Sequence, residues 1–180
     1  MSSALATRLM FAAAAAYRAD KANMNSSAGV VAILGQVSKI LESINAHCED
    51  PSVKEHLGDF RREKTDRSFI LTTNYIGMII RWDQQYANVV DKNSTLTVEE
   101  YDSRLLLTAE LGRSVQPRRP QRLRQTKYQP DLSPAGEHGW NEEGSSEFLS
   151  SDALAERCVI QFIDIMDRQA KGEVGYRGLF

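Results

Sequence analysis

Three histidines, two cysteines and one adjacent pair of carboxylates are the side chains whose types could carry chemistry in this chain. His47 precedes Cys48 directly, but consecutive residues leave a helix in different directions, so the pair is a poor start for a metal site. Cys48 and Cys158 both fall on apolar stripes and read as small core residues. His56 lies in a short segment after Asp50-Pro51, and His138 lies in the acidic stretch GEHGWNEEG. Glu142-Glu143 has the composition of a general acid/base pair, yet neighbouring carboxylates on a loop are normally solvated charge. No phosphate-binding glycine loop, dinucleotide fingerprint or nucleophile elbow is present. These residues predict a non-enzymatic protein with no metal and no cofactor.

The densest chemical signal is positive charge. Arg113, Arg118, Arg119, Arg122, Arg124 and Lys127 occur with no acid among them, in a chain of formal net charge −2. Arginine forks grip phosphate through paired hydrogen bonds, and Pro117 and Pro120 keep such a segment extended along a polyanion. Tyr128 and Trp140 offer rings on which bases stack. The stretch from Tyr128 to Asp152 has the opposite sign: Asp131, Glu137, Glu142, Glu143, Glu147 and Asp152, without one lysine or arginine. The expected ligand of the basic set is nucleic acid, with pairing of the two segments as the competing use of the charge.

The elements that must position these residues read as helical. A chain of 180 residues, 42% hydrophobic, is sized for one domain over 1–180. The apolar start is interrupted by Arg8 and nothing near 18 consecutive apolar residues follows, so no membrane partner is expected and the cytoplasm is the default location. The Ala-rich, Arg-containing start also suits an organelle transit peptide, against which Asp20 argues. Leu5, Leu9 and Ala16 predict a first helix over 3–24. Val30, Leu34, Val37, Leu41, Ile44 and Cys48 predict a second, capped by Ser26 or Ser27 and ended at Asp50-Pro51. Pro51 suits the first position of a short third helix with Val53, Leu57 and Phe60. Leu71, Tyr75, Met78, Trp82, Tyr86 and Val89 keep helical spacing, although the β-branched run SFILTTNYIGMII leaves a strand as the alternative.

Further on, Thr97 and Glu100 have capping-box spacing, which predicts a helix from Val98 to Leu111. Four of the five prolines then lie in 113–150, expected to be an extended arm, basic and then acidic. Leu154, Cys158, Phe162 and Ile165 predict the last helix, capped at Ser150 or Ser151, with Asp164 and Arg168 outside. The expected fold is therefore all-α: a four-helix-bundle-like core with one extra short helix and a long polar arm before the last helix.

The closing stretch SDALAERCVIQFIDIMDRQAKGEVGYRGLF resembles the end of the coat proteins of rigid rod-shaped plant RNA viruses, the tobacco mosaic virus group and its relatives. The resemblance rests on Asp152-Ala153 opening the helix and on Tyr176, Arg177 and Phe180 after it. DRSFIL, at Asp66 to Leu71, is similar to the segment leading into that family's third helix. The resemblance implies a helical bundle that stacks around single-stranded RNA, with Asp152 near a nucleotide and Arg113 near phosphate. The function expected is thus a self-assembling structural protein that packages RNA in a helical capsid, found in virions or host cytoplasm. The alternative is a non-enzymatic adaptor or subunit of a larger cellular complex, docking through its Pro/Arg-rich arm.

Overall fold

Two-residue alternation, not a helical repeat, governs the middle of this protein. A computed structural model describes residues 7–8, 10–16, 18, 27–58, 60–73, 76–84, 94–102, 122–133 and 135–171. Helical residues 7–8 and 10–16 form α1. They are followed by α2 (Ser27–Glu49) and α3 (Pro51–Leu57), and then by seven strands. These are β1 (Arg61–Lys64), β2 (Ser68–Thr72), β3 (Ile76–Asp83), β4 (Thr95–Asp102), β5 (Arg122–Leu132), β6 (His138–Glu142) and β7 (Phe148–Leu149). The last helix, α4, runs from Ser151 to Ala170. The strands form one antiparallel meander in which each pairs with its neighbours in sequence, β1 through β7 in order.

The all-α bundle expected from the sequence is therefore incorrect. Helical spacing from Leu71 to Trp82 gives way to strands, because Ile76, Met78, Ile80 and Trp82 are all buried, alternating with Ile79, Arg81 and Asp83, while Tyr75, Tyr86 and Val89 of the predicted helix lie outside the described residues. With almost every second residue apolar, helical and strand periods both fit, and β-branched packing in a sheet decides for the strand left open above. The predicted helix at Val98 is strand β4 as far as Asp102, and residues 103–111 lie outside the described residues. Thr97 and Glu100 are both buried side chains of that strand, so their capping-box spacing is incidental. The polar arm also fails from Arg122 onward, where β5, β6 and β7 form. In β5, Thr126, Tyr128 and Leu132 alternate inward, a pattern diluted by the polar residues between them.

Two of the predicted helix starts have the expected caps. Asp50 accepts from the Ser52 backbone N–H at 2.9 Å, with Pro51 in the first turn of α3. Ser150 accepts from Ala153 N–H at 3.1 Å at the start of α4. Helix α2 buries Ile33, Val37, Ile40, Leu41, Ile44 and Cys48, and α4 buries Leu154, Cys158, Phe162 and Ile165. Both helices cover one face of the sheet, where Phe69, Leu71, Met78, Ile80, Leu96, Val98 and Trp140 complete a single core.

Three elements are tied together at Trp140. Its indole stands edge-on to Trp82, with ring centroids 5.8 Å apart. Its Nε1 donates to Ser151 Oγ at 3.2 Å, and that hydroxyl donates to Gln36 Oε1 at 2.7 Å. Sheet, α4 and α2 are thereby joined by one polar chain inside an apolar core.

Strand β5 divides its length between two partners. It pairs with β4 from Arg122 to Tyr128 and with β6 from Tyr128 to Leu132. Pro130, which has no amide proton to give, thus sits where β4 no longer runs alongside.

Candidate nucleic-acid interface

Strand alternation would place Arg122 and Arg124 on the same side of β5. The pairing of β4 with β5 slips by one residue there: Glu100 lies opposite Arg124, but Tyr101 lies opposite Arg122. Leu123 is the extra residue of this bulge, and it turns Arg122 to the face of the sheet away from the helices. Gln125 and Lys127, opposite Glu99 and Thr97, share that outer face.

Glu99 is the centre of the outer face. Its residue is only 4% exposed, although α2 and α4 lie on the other side of the sheet. Tyr101 Oη donates to it at 2.5 Å, Gln125 Nε2 at 2.7 Å and Arg122 Nη1 at 3.1 Å. Arg81 Nη2 stands 4.0 Å away. Burial, and then the bond to Glu99, pushes the Tyr101 phenol up to about 12. Arg81 also donates to Asp83 at 2.7 Å, which raises its guanidinium above the ordinary value. Both arginine side chains remain about half exposed, at 47% and 52%. A buried carboxylate therefore fixes one edge of Arg122 and leaves the rest of its fork facing solvent.

The described members of the basic set predicted from the sequence divide between two faces of the sheet. Arg113, Arg118 and Arg119 lie outside the described residues. Arg122 and Lys127 share the outer face with Arg81. Arg124 is on the opposite face, where it lines a cleft of about 310 Å³ with Glu100, Gln161, Asp164 and Arg168. There Gln161 Nε2 donates to the buried Glu100 at 2.5 Å. Asp152 is engaged within the chain, accepting from Lys39 Nζ at 2.8 Å and Ser43 Oγ at 3.2 Å. The Lys39 bond holds its carboxyl below the usual range. Tyr128 is buried against the core, as is Trp140, so neither ring is open to a base.

The other candidates are similarly placed. Glu142 lies 3.6 Å from Arg157 of α4, whereas Glu143 is exposed, so the adjacent pair is divided. Cys48 and Cys158 are buried, and burial pushes their thiols up to about 11 and about 12. His47 is half-buried at the end of α2, and His138 is half-buried opposite Leu132. Among the described residues no three His, Cys, Asp or Glu side chains gather as metal ligands. No helix among them is long and apolar enough to cross a membrane.

Sequence reading missed Glu99, Arg81 and Tyr101, because they reach Arg122 only through the register of β3, β4 and β5. The available signal was the alternation Thr95, Thr97, Glu99, Tyr101 against Leu96, Val98, Glu100. Comparison of the chain with protein-family models, curated proteins and solved structures finds no match.

Proposed function

We propose that this protein is a non-enzymatic structural subunit that assembles with further copies of itself through α1. The observation that carries this reading is the run MFAAAAA at residues 10–16, which is helical and exposed at every position. Met10 is 72% and Phe11 68% exposed. A wholly exposed apolar helical run of this length loses its contact with water by packing on another surface. Alanine side chains are short enough to let a second helix approach closely. Arg8 and Arg18 bracket the run, and the same chain carries exposed Glu137 and Glu143 as complementary charge for a neighbouring copy. A contact between two different surfaces of like subunits propagates into rings or filaments.

The test is light scattering after size exclusion over a range of protein concentrations, with wild type compared against the Met10→Glu, Phe11→Glu double variant. Oligomers that the double variant reduces to monomers support the reading. A wild-type monomer at every concentration rejects self-assembly and leaves the adaptor role, in which α1 docks on a different protein.

RNA packaging is a second reading, favoured by the half-exposed Arg81 and Arg122 around Glu99. Its phosphate contacts are Arg81, Arg122 and Lys127 on the outer face of the sheet, together with Arg113, Arg118 and Arg119. Arg122→Ala should weaken binding to unrelated RNA sequences alike and make the affinity less dependent on salt, while Arg124→Ala, on the other face, should not. Equal effects of the two exchanges would remove the outer face from this role.

A further inference from the structure

Neither α1 nor the outer face of the sheet uses the cleft of about 310 Å³ beside Arg124. It lies on the helix-facing side, where the last turns of α4 meet β4 and β5. Gln161, Asp164 and Arg168 recur there at three- and four-residue spacing, so one stripe of α4 forms one wall. Glu100 and Arg124, direct partners in the β4–β5 register, form the other. The volume stands at the lower end of the roughly 300–1,000 Å³ of small-molecule sites.

The charges of the lining balance in number but are not joined to one another. Three cations, Arg124, Arg168 and Lys171, and three acids, Glu100, Asp164 and Asp167, border the cleft. Asp167 has a partner within the chain. Arg124, Asp164, Arg168 and Lys171 are exposed, and among the described residues their side chains make no hydrogen bond or ion pair. Arg124 is thus open although Glu100 lies opposite it, and Arg168 although Asp164 is one helical turn away. Glu100 itself is only 2% exposed. Its Oε1 accepts from Gln161 Nε2 at 2.5 Å, whereas its Oε2 has no partner among the described residues and is not sealed from the cleft. A carboxylate oxygen in so dry a position gains more from a charged donor than one in open water.

A simple anion in this cleft would meet three carboxylates, and a simple cation would meet three basic groups. A molecule that carries both charges close together meets each with its opposite. We infer that the cleft binds a free α-amino acid with an uncharged side chain, its carboxylate on the guanidinium groups of Arg124 and Arg168 and its ammonium on Asp164 and Glu100 Oε2. A guanidinium fork takes a carboxylate through two parallel bonds, and an ammonium brings three donors and no acceptor to the acids. The balanced lining favours a ligand whose own charges cancel. Residues of α1 and of the outer face take no part in lining it.

Calorimetry and amide NMR titration of the full chain with L-alanine and L-leucine test the inference. Saturable binding of at least one is expected. Propionate and 4-methylpentanoate, which lack the ammonium, and ethylammonium and 3-methylbutylammonium, which lack the carboxylate, should each bind at least about tenfold more weakly, the loss of one charge-assisted contact. Arg124→Ala should remove most of the amino acid's advantage over the amine, and Asp164→Asn most of its advantage over the carboxylate. Both exchanges fall at exposed positions, and circular dichroism checks that the variants stay folded. Absence of saturable binding for both amino acids, equal affinity for an analogue with one charge, or unchanged preferences in both folded variants would overturn the assignment.

Discussion

The Trp140 indole and the Ser151 hydroxyl meet at 3.2 Å inside the core, where β6 delivers its bulkiest side chain to the first residue of α4. Both residues are essentially buried, and the hydroxyl also donates to Gln36. Ser151→Ala leaves the indole N–H and the Gln36 oxygen without this partner. The expected cost is about 1–3 kcal/mol in urea unfolding followed by tryptophan fluorescence. A stability unchanged from wild type would show that the polar chain joining β6, α4 and α2 contributes nothing net.

Glu99 holds four groups on the opposite face. Glu99→Leu takes the acceptor from Tyr101 and Gln125, while the half-exposed Arg81 and Arg122 turn to water. Destabilisation of about 1–3 kcal/mol is expected, with Glu99→Gln recovering part of it. If the leucine variant matches wild type in thermal unfolding, the carboxylate is not an organising centre.

Both thiols should be silent in the folded protein. With Cys48 raised to about 11 and Cys158 to about 12, the thiolate fraction at pH 8 is on the order of one in a thousand or less. An aromatic disulfide reagent should therefore react only after guanidinium is added, and then with two equivalents. Prompt reaction of either thiol in the native protein would contradict the burial described for it.

Asp152 gives a stability term with a defined pH direction. Its folded-state carboxyl is held below the ordinary value, first by the Lys39 bond. The stabilisation is therefore fully present above the unfolded carboxyl's pKa, about 3.9, and is lost as pH falls through the lower folded value. The pair is mostly exposed, so the effect stays below about 1 kcal/mol at neutral pH. Asp152→Asn should melt slightly below wild type at pH 7, and the gap should close near pH 2. A gap that widens on acidification would refute this assignment.

The helices α2, α3 and α4 were legible because each combined an apolar helical repeat with a cap, as Asp50-Pro51 and Ser150 illustrate. The strands were not. Ile76, Met78, Ile80 and Trp82 satisfy two periods at once, and Thr97 with Glu100 imitates a helix start. In β5 the inward Thr126, Tyr128 and Leu132 are separated by charged and amide side chains, which makes a strand with one solvated face resemble a polar loop. The charged residues Arg122, Arg124 and Lys127 were found by composition, but their division between two faces depends on the Leu123 bulge, a property of pairing that a single strand's sequence does not carry.

The meander pairs each strand with the one made just before it, so the sheet extends in step with the growing chain. Its cover does not. The contacts that seat α4 on α2, Lys39 and Ser43 to Asp152 and Gln36 to Ser151, span 113, 109 and 115 residues. During synthesis the part of the sheet's apolar side that α4 covers therefore stays open until α4 leaves the ribosome, and a nascent chain paused before Ser151 exposes it.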